Sequence, residues 1–144
     1  HNPADKHATH LAVMQTAIRA LRRLPRDARP EKVYGCEAWR DLDWLPDEKK
    51  VVLNLGDRHH LAAALTGLFD SQIAGGKRYD LATQGRYRAN ATYLSSHSVD
   101  TMESATFAMD LTPLVKDDSL EVGQYVSGLI DEFKQEVLQA LAGK

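Results

Sequence analysis

A chain of 144 residues, 43% hydrophobic and 26% charged, is the size of one domain and long enough to bury a core. A formal net charge of −2 removes the electrostatic motive for binding nucleic acid or an anionic membrane surface. The single cysteine, Cys36, excludes an internal disulfide and suits a reducing cytoplasm, and the longest apolar run, Leu61 to Leu65, is far too short to span a bilayer.

The first predicted element is a helix over residues 5–24. Leu11, Met14, Ile18 and Leu21 recur at helical spacing, Asp5 stands where a cap belongs, and Pro25 and Pro30 stop it. Arg19, Arg22 and Arg23 fall in its second half, where cations complement the helix dipole; a solvated face is the plainer reading and a phosphate-binding face the sharper one. Residues 33–39 read as a strand that carries Cys36 as buried filler rather than as a reactive thiol. After an acidic and aromatic stretch through Trp44 comes a β-rich run, Val51 to Leu55, closed by Gly56.

Asp57 then reads as the cap of a second helix over 58–73, with Leu61, Leu65, Leu68 and Gln72 along one side. His59 and His60 lie in its first turn as surface residues, since neighbours on a helix diverge by about 100° and only one can face a site. Gly75-Gly76 marks a turn. A third helix over 80–96 carries Arg86, Arg88, Asn90 and Tyr93 above a modest stripe, leaving its arginines for salt bridges or for an anionic ligand. Residues 105–111 are extended and end at Pro113, and a last helix over 119–142 has a strong apolar stripe from Val122 to Leu141.

The chemistry-bearing residues gather at the start, in His1-Asn2-Pro3-Ala4-Asp5-Lys6-His7-Ala8-Thr9-His10. Three residues apart on a helix, His7 and His10 share one side of it, a good position for a metal ligand and a partner acid or base. An H-x-x-H pair is equally the mark of capping or surface histidines, and a catalytic zinc needs about three protein ligands, so the others must come from elsewhere.

Asp5 to Val13 resembles the second motif of the PIG-L (LmbE-like) zinc-dependent N-deacetylases, an H-P-D-H followed by a helix. Val51 to Leu55, the following helix and Phe69-Asp70-Ser71-Gln72 are similar to that family's strand, helix and S-Q segment. Pro30 to Trp44 and Gly76 to Thr83 resemble the deacetylase-like module at the C-terminus of bacterial proteins called glucosamine-6-phosphate deaminase (isomerase). The resemblance covers the second half of the family's domain. It implies an α/β fold, an incomplete Rossmann-like three-layer sandwich forming a single partial domain over 1–144. Another chain or self-association would complete it, and a homo-oligomer is expected.

By the same resemblance His10 is a zinc ligand, and His7 steadies the oxyanion or protonates the leaving amine. The motif's aspartate falls on Thr9 and its proline on Ala8, so its carboxylate role is lost or passes to Asp5. The family's first motif, which supplies the other two ligands and the general base, has no counterpart; Leu45-Pro46-Asp47-Glu48 lacks the histidine. The expectation is therefore part of a metal-dependent hydrolase that removes acetyl from an N-acetylated amino sugar or its phosphate, inactive by itself. Its partner would be the missing half of the domain or a sugar-phosphate deaminase domain. A non-catalytic interaction or regulatory module is the alternative.

Overall fold

The computed structural model describes residues 1–143 as a mixed α/β chain with six α-helices and one three-stranded sheet. It divides into two compact units, His1–Val51 with Phe107–Lys144, and Val52–Thr106. The strands are β1 (Tyr34–Cys36), β2 (Lys50–Asn54) and β3 (Ala105–Asp110), in the order β1-β3-β2. β1 runs antiparallel to β3, Gly35 facing Met109.

The first unit holds the larger core. Helix α1 (Ala8–Arg22) buries Met14 and Ile18 from the expected stripe, with Leu11 and Leu21 half-buried beside them. Each of the two buried side chains contributes about 1.5–3 kcal/mol of transfer free energy. They join Leu42, Leu45, Phe107, Met109, Leu111 and the Leu114–Val115 pair of α5 (Thr112–Lys116). Pro113, expected as a terminator, instead sits in the first turn of α5, where its fixed φ and missing N–H cost nothing.

Helix α6 (Val122–Leu141) forms as expected, but its stripe is covered only in part. Leu129 is buried, whereas Ile130, Val137, Leu138 and Leu141 are exposed. Tyr125 anchors its start by donating its hydroxyl to the Asp110 carbonyl at 2.6 Å, and burial, with the nearby Asp110 charge second, raises its pKa.

Two arginines tie the end of α1 to the segment after α5. Arg22 donates to the carbonyls of Leu114, Asp117 and Leu120, so it is neither a solvated nor a phosphate-facing cation. Arg29, buried, spends its donors on the carbonyls of Leu24, Val115 and Arg22 and on both carboxylate oxygens of Asp118. That fork holds the Asp118 carboxyl below its ordinary pKa.

The expected strand over 33–39 is shorter. Beyond Cys36 the Glu37 N–H still reaches the Phe107 carbonyl at 3.4 Å, but the Phe107 N–H goes to the Glu37 carboxylate at 3.1 Å and the Trp39 N–H turns to Asp5, so the regular ladder stops there. Its alternation also points Gly35 inward and Cys36 outward, and Cys36 is exposed rather than filling a core. At Gly35 the opening residues of the chain pack directly onto the strand: a Cβ there would lie 2.8 Å from Leu111 Cδ1 and 2.9 Å from both the Asn2 Cα and the His1 carbonyl oxygen. Gly35→Ala is therefore expected to lower stability by about 1–3 kcal/mol, because backbone as well as side chain must shift. Denaturant unfolding checks it, and an unchanged midpoint would contradict the close packing of this segment.

The second unit has α2 (His59–Gly67), α3 (Asp70–Ala74) and α4 (Tyr79–Tyr93). The helix expected over 58–73 is broken after Gly67, a poor helix former, where Leu68 and Phe69 donate to carbonyls three residues back. Its expected cap, Asp57, makes no cap bond; Arg58 holds that position without a side-chain hydrogen bond. Only Asn90, Ala91 and Ala105 of this unit are buried, and Leu61, Leu65, Leu68 and Phe69 lie exposed rather than along a packed face. Arg88 pairs with Asp100 at 3.2 Å, the salt-bridge role expected of it. Among the described residues no helix is long and apolar enough to cross a membrane.

Candidate metal centre

Asn2 brings the opening residues onto β1. It is fully buried, its N–H donates to the Cys36 carbonyl at 3.0 Å, and its amide reaches the carbonyls of Cys36 and Arg40. Gly35 leaves room for this approach. The next turn closes when the Ala4 N–H donates to the Asn2 side-chain oxygen at 2.9 Å, and this sets Asp5 beneath the start of α1.

Asp5 is the hub. Its side chain is shielded from solvent, and it accepts the His7 N–H at 2.8 Å and the Trp39 N–H at 3.1 Å. His10 Nδ1 lies 3.3 Å from the same oxygen that takes the His7 N–H; the pair is within ionic reach but off hydrogen-bond geometry, and this buried nitrogen has no other partner among the described residues. Burial is the largest single influence on the Asp5 carboxyl and pushes its pKa up. The His7 N–H, the adjacent His10 imidazole and the Trp39 N–H together outweigh it, so the net shift is downward and Asp5 is an anion near neutral pH.

The structure brings both predicted site residues to this place but gives them different postures. His10 is half-buried; with Asp5 on its Nδ1 side, Nε2 is left without a partner among the described residues. His7, not Asp5, caps α1. Its exposed ring accepts the Thr9 N–H at Nδ1, 3.2 Å away, so a neutral ring carries its proton on Nε2. The His7 and His10 rings are 4.6 Å apart between centroids, and the Trp39 ring lies 6.4 Å from that of His7.

His1 is the residue that sequence reasoning missed. Its ring stacks on His10 with centroids 3.8 Å apart and planes 1° from parallel. One ligand atom each from His1, Asp5 and His10 lies within 4.8 Å of the others, a set of two imidazoles and a carboxylate of the kind that binds zinc and similar divalent ions. The donor types and their reach fit such an ion. The stack itself does not: nitrogen lone pairs lie in the ring planes, and two parallel planes share no point. Binding by both rings requires one of them to turn, and the exposed His1 is the one with room to do so.

No family model, curated protein or solved structure matches this chain.

Proposed function

We propose that the chain contributes the imidazole-bearing half of a metal-dependent amide hydrolase acting on an N-acetylated amino sugar or its phosphate. The reading rests on one observation, the convergence of His1, Asp5 and His10 ligand atoms within 4.8 Å at the head of α1. In it His10 is the metal ligand through Nε2, and Asp5 orients the ring from its Nδ1 side, as carboxylates behind metal-binding histidines commonly do. His7, with Nδ1 occupied by Thr9, offers Nε2–H to the oxyanion or to the departing amine. A bound divalent ion would polarise the acyl oxygen and acidify water.

The sheet and its flanking helices would then be the second half of a three-layer, Rossmann-like sandwich in a cytoplasmic enzyme. The general base and further metal ligands would lie on a segment bearing the family's first motif. A second copy of this chain is the other way to cover the exposed apolar side chains of α6.

Zinc titration of the chain alone, and of the chain mixed with a polypeptide carrying an H-P-D-D strand, tests this. Alone, two imidazole donors of which one must reorient, with Asp5 behind His10, are expected to hold zinc no more tightly than micromolar Kd, about −8 kcal/mol. The ring resonances of His1 and His10 should move as the stack opens. The mixture should bind more tightly and release acetate, and His10→Ala should abolish binding in both. Absence of zinc in both preparations would leave the interaction-module reading, with the histidines serving only to cap and pack.

A further inference from the structure

The second unit contains a cleft of about 420 Å³ beside the first turn of α2 and the middle of α4, a volume suited to a small ligand. Its charged lining is of one kind. Arg58, His59, His60 and Arg88 border it, and no carboxylate does among the described residues, in a chain whose overall charge is −2. The remaining wall is largely apolar, with Ala62 and the Tyr87 ring.

These basic groups divide into two that are held and two that are not. Arg88 donates to the Glu103 carbonyl at 3.0 Å and to Asp100 at 3.2 Å, and His59 Nε2 meets the Glu103 carboxylate at 2.7 Å. Both therefore already have carboxylate partners. The Arg58 guanidinium and the His60 imidazole have no side-chain partner among the described residues. The His60 backbone N–H, at the start of a helix without a side-chain cap, has no acceptor either.

The cleft therefore carries a surplus of donors, and Arg58 is its formal cation with no carboxylate against it among the described residues, beside a largely apolar wall. We propose that it binds a phosphomonoester of a small polar molecule, with the phosphate on Arg58 and His60 and the organic part against Ala62 and Tyr87. Three terminal oxygens at one end match the planar fork of Arg58, the His60 ring and the free N–H, which a monovalent carboxylate would leave partly unanswered. The cleft lies wholly within residues 55–104, so this does not depend on the metal reading.

Heteronuclear NMR titration of the full chain tests it, with inorganic phosphate, glycerol 3-phosphate and glycerol as probes. Inorganic phosphate should give saturable shifts confined to residues around Arg58, His60 and Arg88, with Kd on the order of 1 mM. Glycerol 3-phosphate should bind several-fold more tightly and glycerol should give no shifts. Arg58→Gln combined with His60→Gln should weaken phosphate at least tenfold without moving the thermal midpoint, since both side chains face solvent. Arg26→Gln, on an exposed arginine of the other unit, should change nothing. Non-saturable shifts spread over many surface cations, an unaltered Kd in the double variant, or equal binding of glycerol would each overturn the proposal.

Discussion

Arg29→Ala is expected to lower the unfolding free energy by about 2–4 kcal/mol. The arginine is 8% exposed, and its fork serves three backbone carbonyls and one carboxylate. Removing it leaves the Val115 carbonyl buried without a donor, whereas Asp118, about half exposed, can turn to water. That asymmetry places the cost mainly on the carbonyls and keeps it below that of breaking a fully buried ion pair. For a chain of this size such a loss corresponds to a fall in Tm of roughly 6–15 °C. Arg29→Lys should recover less than half of it, since a single ammonium cannot span acceptors in several directions. The control is Arg26→Ala. Its guanidinium also faces Asp118 but at 4.0 Å and 80% exposed, and its loss should cost under about 0.5 kcal/mol. Equal effects at the two positions would show that attraction to Asp118, not the carbonyls, carries the stabilisation.

Arg29 also shows what the sequence could and could not disclose. Periodicity made α1 and α6 legible, because Met14, Ile18 and Leu129 lie on apolar stripes at helical spacing. The strand limits were not legible. β1 ends at Cys36 because the Phe107 N–H takes the Glu37 side chain in place of its carbonyl and the Trp39 N–H takes Asp5, partners about 70 and 34 positions apart. Leu61, Leu65 and Leu68 obeyed the helical pattern yet are exposed, since a stripe declares that a face is apolar and not that something covers it. Arg22 looked like a surface cation, and Arg29 drew no reading, because nothing local distinguishes an arginine that bonds carbonyls some 90 residues onward.

The candidate site was half legible for the same reason. His7 and His10 stood out through their spacing on one helix. His1 reaches His10 only because Asn2 is pinned to β1 across Gly35, a tertiary fact invisible in a ten-residue window. The burial of Asn2 and the room at Gly35 are both tertiary facts, so no signal in the sequence singled out His1.

Substituting Asp5 separates the structural part of this centre from its metal-binding part. Asp5→Ala leaves the N–H groups of His7 and Trp39 without their acceptor beneath α1, and a loss of about 2–4 kcal/mol is expected. Asp5→Asn keeps the shape but has one acceptor oxygen for two N–H groups, so its amide must oppose a donor; about 1–3 kcal/mol is expected. Acid distinguishes the charge from the shape. Because the folded-state pKa of Asp5 lies below its ordinary 3.8, its ionised form contributes stability that is fully present above that value. This contribution is lost as pH falls through the lower folded-state pKa. The stability gap between the parent and Asp5→Asn should accordingly stay open at neutral pH and narrow only below about pH 4. Urea midpoints across that range measure it, and a gap that is flat down to pH 2 would mean that the carboxylate charge does not stabilise the fold. Zinc gives the complementary reading. If Asp5 only orients His10, Asp5→Asn should weaken zinc by about 10–100-fold and leave it measurable, as the loss of an outer carboxylate does; if Asp5 is itself a ligand, binding should vanish as it does in His10→Ala.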